Sequence, residues 1–281
     1  MILTIITINW NNAAGLEKTM KSVLGQVCTD FEYVVVDGAS DDGSVDIIET
    51  YAGKFGERLK WISEKDKGIY NAMNKGIGMA SGEYVEFLNS GDCLAAPDVT
   101  EKMLNKLRDK GFPSILYGNM LKDMPDGRLT RDRSFAGSQI TLLGMYKGCL
   151  NHSPAYIKKT LFTKYGGYDE SLRICSDWKW YMEAIILGEE VPQYADIDVS
   201  VFDMTGISET NKELLNEERS KLLSEMIPAA VLSDYHSHYQ SILMIQRIRR
   251  HPFFFRITRL MERCLFKFEK FFNHKNIRNE R

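Results

Sequence analysis

Over its first 110 residues the chain alternates, four times in succession, between a short apolar run and a stretch with apolar residues at helical spacing. That alternation leaves few folds open. Strands that follow one another through helical crossovers build an open, mostly parallel α/β sheet with right-handed connections. The strand candidates are ILTIITI (2–8), FEYVVV (31–36), LKWIS (59–63) and EYVEFL (83–88). Between and after them, sets such as Leu16, Met20 and Val23, or Ile69, Met73, Ile77 and Ala80, recur at spacings of three and four, as one face of a helix requires. The first run is apolar without interruption, the pattern of a strand covered on both faces. In open sheets of this kind ligands sit beyond the carboxyl ends of the strands. The residues that follow each strand are therefore the first candidates for a site.

Beyond about residue 113 the alternation loosens. SILYGNML and GRLTRDRSF read as strands joined by the turn MPDG, AYI (155–157) as another strand, and SDWKWYMEAIILG (176–188) as a helix. From Asn211 to about Arg250 the pattern is helical, with a break at Pro252 before HPFFFRITRLMERCLFKFEKFF. The expected organisation is one α/β domain over 1–210, in two halves (1–110 and 111–210). A helical extension over 211–281 follows.

The five cysteines are widely spaced and form no C-x-x-C pair, which argues against a disulfide framework or zinc site and for a reducing, cytoplasmic setting. MILTIITINWNN lacks a basic leader and is expected to be a first strand, not a signal peptide. No run approaches the ~18 apolar residues of a membrane span. A net charge of −2 gives no reason to expect nucleic acid as a partner. It hides an asymmetry, since residues 247–281 carry eleven Lys or Arg and three Glu.

Two strand ends carry acids. VVVDGASDDGSVD (34–46) places Asp37 where the second strand stops, with Asp41, Asp42 and Asp46 after the turn. The latter three are expected to cap or complement the following helix; Asp37 has no such role open to it. EYVEFLNSGD ends the fourth strand with Asn89, Ser90, Gly91 and Asp92. Hard oxygen ligands beside a diphosphate are how Mg²⁺ or Mn²⁺ is held. No G-x-G-x-x-G and no G-K-[ST] occurs in the first hundred residues, which weighs against dinucleotide and P-loop sites.

TINWNNAAGLEKTMKSVLGQ, FEYVVVDGASDDGSVDII and ISEKDKGIYNAMNKGIGMASGEYVEFLNSGD together resemble a family 2 glycosyltransferase of the GT-A fold, from the branch that builds bacterial surface polysaccharides. The resemblance is dense over residues 2–108 and sparser to about 208. It implies a metal-dependent, inverting transfer of a sugar from a UDP-sugar to a hydroxyl of a glycan or lipid-linked acceptor. It also implies roles. Trp10 would pack on the base, Asp37 would accept from uracil N3–H, and Asp66 would add a polar contact near the nucleoside. Asn89 would meet the nucleotide sugar, and Asp92 would hold the divalent metal (Mn²⁺ or Mg²⁺). GGYDESLRICSDWKWYMEAI resembles the segment that carries the general base, which implies Asp177 as base. His152 and Trp178 would contact acceptor or sugar, and GIS (206–208) places Ser208 near the site. Asn89 and Asn71 depart from the family, which often has Asp at both positions, so the metal would rest on Asp92 alone. A sugar nucleotidyltransferase would need a Gly-rich, Arg-containing loop after the first strand, and NWNNAAGLEK is not one. The alternative outside enzymology is a catalytically degenerate relative acting as an assembly scaffold.

In the tail, Phe254, Ile257, Leu260, Met261, Leu265, Phe268 and Phe272 recur at helical spacing, interleaved with Arg256, Arg259, Arg263, Lys267 and Lys270. An apolar face edged by Lys and Arg marks a helix lying in a membrane interface. The expected partner is an anionic membrane surface on the inner face of the plasma membrane, or else a second copy in a homodimer.

Overall fold

The computed structural model describes residues 1–279, with side chains through Glu269. Lys270 and Phe272 of the expected tail stripe lie outside the described side chains. The strands are β1 (Leu3–Asn9), β2 (Phe31–Asp37), β3 (Leu59–Ser63), β4 (Tyr84–Phe87), β5 (Cys93–Leu94), β6 (Ile115–Asp123), β7 (Leu129–Asp132), β8 (Ala155–Lys158) and β9 (Gln193–Asp203). They form one sheet in the order β3-β2-β1-β4-β8-β6-β9-β5, with β7 paired to β6.

The first four strands are mutually parallel, with Asn9 level with Asp37 and Asp37 level with Ser63. The parallel character expected for most of the sheet ends there. β8 runs against β4 and β6, while β9 runs parallel to β6 and against β5. From β1 the chain winds outward through β2 and β3, then returns to place β4 on the other side of β1. The crevice at the carboxyl ends of β1 and β4 is thus a topological switch point, where open α/β sheets bind ligands.

Helices α1 (Ala13–Leu24), α2 (Ser44–Phe55), α3 (Ile69–Met79) and α4 (Val99–Asp109) fall where the apolar spacing predicts them. β1 and β2 are buried along their whole length. The polar side chains inside them are paired: Thr4 Oγ1 donates to Glu32 at 2.8 Å, and Tyr33 Oη to Thr7 Oγ1 at 2.9 Å. The second half adds short helices α5 (Leu142–Lys147), α6 (Thr160–Tyr165) and α7 (Ser176–Tyr181). A π-helical turn over Met182–Leu187 continues α7. β9 is followed by α8 (Ile207–Thr210) and α9 (Lys212–Met226).

The chain divides into compact units Met1–Leu222 and Leu223–Arg281. The division falls inside α9, later than the boundary expected near residue 210. The second unit contains α10 (Ala229–Arg249) and α11 (Pro252–Asn279). The helix expected to run unbroken from Asn211 is interrupted at Pro228, which precedes α10 and cannot continue the helix before it. Pro252 opens α11, the first-turn position proline tolerates best. At about 100° per residue, Leu260, Phe253, Ile257, Met261, Phe254 and Leu265 share one arc of roughly 140° on α11. All six are exposed. Arg256, Arg259, Arg263 and Lys267 border one edge of that arc, and Glu262 and Glu269 the other. No helix among the described residues is long and apolar enough to cross a membrane.

Candidate active site

At the carboxyl end of β2, Asp37 is fully buried and bonded on both oxygens. Oδ1 accepts from Asn9 Nδ2 at 2.8 Å and Ser40 Oγ at 2.6 Å. Oδ2 accepts from Ser40 N at 3.0 Å and Ser63 Oγ at 2.6 Å. Burial alone would raise its pKa, but these four donors outweigh it and hold the carboxyl below its ordinary value. Asp37 therefore ties together the ends of β1, β2 and β3, and a base could bond to it only by displacing a serine hydroxyl. Of the acids that follow, Asp42 does the capping. It accepts from Ser44 N and Oγ at the start of α2 and, at 2.7 Å, from Ala13 N at the start of α1.

Trp10, just past β1, is 72% exposed. A Cβ placed on Gly38 would lie 3.2 Å from its ring and 3.1 Å from Asp66 Oδ2. Trp10, Gly38 and Asp66 thus converge, and Lys75 Nζ anchors the other oxygen of Asp66 at 2.6 Å. This is a flat aromatic surface beside an oriented carboxylate, open to solvent.

Across the crevice, Gly91 turns the chain after β4 with φ +104°, where a Cβ would meet Asp203 Oδ2 at 2.7 Å. The next residue, Asp92, is 3% exposed. Its Oδ1 accepts from Asp203 N at 2.8 Å, while its buried Oδ2 has no hydrogen-bond partner. Burial pushes its pKa up to about 7; the nearby Asp203 charge adds to that, and His152 and Lys18 oppose it. An orphaned, desolvated carboxylate oxygen is what a divalent cation would satisfy. Among the described residues no group of three or more His, Cys, Asp or Glu side chains converges to hold a metal. An ion at Asp92 would thus take its remaining oxygens from a bound diphosphate and water.

The third group comes from the second half. Asp177 stands in the first turn of α7. Its Oδ1 accepts from Trp178 N at 2.8 Å and lies 3.2 Å from Tyr70 Oη, which donates to Ile174 O at 2.5 Å; its Oδ2 lies 3.1 Å from His152 Nδ1. His152 Nε2 in turn lies 3.3 Å from Asn89 Nδ2. Asn89 Oδ1 is buried and has no hydrogen-bond partner. Burial disfavours charge on His152, but its bond to Asp177 and the charges of Asp177 and Asp92 prevail and raise its pKa. Asn89, His152 and Asp177 therefore form one chain of contacts, with Asp92 close enough to be felt.

Trp178 is not part of the crevice, which corrects the expectation that it contacts acceptor or sugar. It is 1% exposed, its ring N–H points at Met145 O and Gly148 O at 3.0 and 3.1 Å, and Arg219 stacks on it. Its role is to seat α7. Ser208 lies on α8, just past the end of β9.

The sequence reading missed two residues of this region. Asp203 ends β9, a strand with no apolar run to signal it. Glu218 of α9 accepts from the backbone N–H groups of Arg173, Ile174 and Cys175 at 2.7–2.9 Å and fixes the approach to Asp177. A surface hollow of about 370 Å³, bordered by Val99, Lys102, Leu121 and Asp198, holds none of these groups.

The profile of the family described as "Glycosyl transferase family 2" matches residues 4–171. That span includes Trp10, Asp37, Asp66, Asn89, Asp92 and His152 and stops short of Asp177. The chain is 29% identical over 217 residues, 76% of its length and 82% of the relative's, to a PGL/p-HBAD biosynthesis glycosyltransferase of Mycobacterium bovis. Among solved structures it is similar to residues 1–349 of S. aureus TarS in complex with UDP-GlcNAc, with a TM-score of 0.63 and 20% identity over 82% of this chain and 69% of that one. It spans 44% of a longer TarS chain. It is also similar to the mannosyltransferase PcManGT from Pyrobaculum calidifontis in complex with GDP-Man and Mn²⁺, with a TM-score of 0.54 and 18% identity over 71% of this chain and 56% of that one. These two likenesses establish the architecture, the GT-A fold expected from the sequence.

Proposed function

Because the chain belongs to glycosyl transferase family 2, we propose that it transfers a sugar, with inversion, from a UDP-sugar to a hydroxyl of a glycan or lipid-linked acceptor in polysaccharide biosynthesis. The observation that carries this reading is the placing of two groups at strand ends and a third on α7. The exposed Trp10 face with Asp66 suits a nucleoside, Asp92 with its orphaned oxygen suits the diphosphate end, and Asp177 faces them from the other half of the unit. TarS bound to UDP-GlcNAc and PcManGT bound to GDP-Man and Mn²⁺ share the fold and support the donor class.

In this reading Trp10 stacks on the base and Asp66 orients the nucleoside. Asp37 keeps the three strand ends in register beneath them. Asn89 offers its unpaired Oδ1 to a donor hydroxyl. Asp177 takes the proton from the acceptor hydroxyl as its oxygen attacks the anomeric carbon, and His152 and the Trp178 N–H hold the carboxylate while it does so. Asp92 would hold a divalent cation, which offsets charge developing on the leaving diphosphate.

The tail extends this reading to a surface. An apolar arc bordered by four basic residues fits an anionic membrane, where lipid-linked acceptors are presented. The deciding experiment is a thermal-shift series with UDP, GDP, UDP-GlcNAc and other nucleotide sugars, with and without Mn²⁺, since a ligand of the native state raises the melting temperature. Stabilisation by a uridine nucleotide that grows with Mn²⁺ is expected. Indifference to every nucleotide would sink the proposal.

A further inference from the structure

Asn89 faces two ways. Its Oδ1 is buried and unpaired, and its Nδ2 lies 3.3 Å from His152 Nε2. An amide N–H directed at a ring nitrogen requires that nitrogen to be an acceptor. The other nitrogen, Nδ1, then carries the proton and donates it to Asp177 Oδ2 at 3.1 Å. These two contacts fit a neutral imidazole in the Nδ1–H form.

We propose that Asn89 is a positioning residue for the base: through its amide N–H it keeps His152 neutral, so that His152 orients Asp177 by a hydrogen bond without forming an ion pair with it. This rests on the reading of Asp177 as general base. The need for such a residue follows from what faces the ring. Asp177 touches it from α7, Asp92 acts on it from the loop after β4, and both favour the imidazolium. Tyr70 touches only the far oxygen of Asp177, and the buried Cys149 thiol nearby is held protonated by its burial. A cation beside Asp177 would make its carboxylate a poorer base. A hydrogen bond donated to the neutral ring opposes the charged form, and Asn89 donates that bond. An aspartate at 89 could only accept, and it would draw a second proton onto the ring.

The experiment uses the full chain labelled with ¹⁵N. The ring nitrogens of His152 are told from those of His236, His238, His251 and His274 by their absence in H152N. Above its pKa, His152 is expected to show the Nδ1–H tautomer, and in N89D its pKa is expected to rise by at least one unit. An Nε2–H tautomer in the natural chain, or an unmoved titration in N89D, would overturn the proposal.

The second arm measures nucleotide release from the best-bound nucleotide sugar against pH. N89D should move the optimum to higher pH, by about the same interval as the ring pKa. H152N keeps an N–H toward Asp177 but cannot titrate, so the N89D/H152N pair should show the same pH profile as H152N. If N89D moves the ring pKa but not the rate profile, Asn89 does not act on the base and the proposal fails. Absence of turnover in the natural chain with every nucleotide sugar would instead overturn the reading of Asp177 as a base, and the tautomer measurement would separate that failure from the first.

Discussion

The backbone N–H of Asp203 donates to Asp92 Oδ1 at 2.8 Å, joining the last residue of β9 to the loop after β4. The bond occupies one oxygen of Asp92 and leaves the other buried and unpaired. The carboxyl is consequently held near the point of titration at neutral pH, with a pKa of about 7.

That placement gives Asp92 a stability signature. Its folded pKa exceeds its unfolded one, so the folded chain keeps a proton that the unfolded chain gives up above pH ~4. Stability should therefore fall as pH rises from about 4 to about 7, at roughly 1.4 kcal/mol per unit at most. Asp92→Asn should make this part of the curve less steep. Mn²⁺ should raise the melting temperature of the natural chain more at pH 8 than at pH 5, and should not raise that of D92N at either pH. Asp92→Ala should fold and lose transfer; activity within a few-fold of the natural chain would show that the acid is misplaced.

For Asp177 the expected dissociation is between binding and turnover. Asp177→Asn preserves the bond from Trp178 N to its Oδ1 but cannot take a proton. Loss of a positioned base should reduce turnover by about 10²–10⁴, with UDP affinity by calorimetry within a few-fold. A variant that loses UDP binding while keeping turnover would remove Asp177 from this role.

Glu86 supplies a test of the fold alone. It sits in the middle of β4, fully buried, with no hydrogen-bond partner for either oxygen. Burial raises its pKa well above the ordinary carboxylate range, against a smaller pull from Tyr156. The folded state thus binds a proton that the unfolded state releases above pH ~4.5, and stability is lost with rising pH at up to about 1.4 kcal/mol per unit. Glu86→Gln is nearly isosteric and always neutral. Its melting temperature should exceed that of the natural chain by a margin that widens from pH 5 to pH 8; a constant margin would mean that the carboxyl is already ionised in the fold.

The tail is tested with vesicles. Each basic residue near an anionic surface is worth roughly 1 kcal/mol, weakened by salt. The full chain should sediment with vesicles of anionic lipid at low salt and be released at high salt. Arg256, Arg259, Arg263 and Lys267 changed together to Glu should abolish sedimentation and leave nucleotide binding intact. If the natural chain ignores vesicles and sediments as a dimer, the apolar arc meets a second copy.

Where a short apolar run marks an element, its sequence and its structure coincide. β3 is found at the residues expected, and β1, β2 and β4 differ by a residue or two at their ends. β9 escaped notice because its acids are unfavourable in strands. In the structure Arg131 and Arg133 pair with Asp198 and Asp196, partners more than sixty residues away that no local pattern displays. Asp203 and Glu218 were hidden for the same reason, since each acts through backbone groups distant in sequence. Trp178 shows the converse error. Its place beside an acid in a familiar segment implied a ligand contact, but only the packing of α5 and Arg219 around it decides that it is buried.

β9 also bears on when this site can exist. It enters the sheet between β6 and β5, and its final residue braces Asp92 across 111 positions of sequence. A chain emerging from the ribosome can form the parallel half of the sheet long before residues 193–203 appear. Until they do, the loop of Asp92 lacks its brace, and Asp177 lacks the three-fold grip of Glu218 on the residues before it. Competence for chemistry should therefore arrive late in synthesis, after both β9 and α9 have been added, so that a chain cut short before Glu218 carries no working crevice.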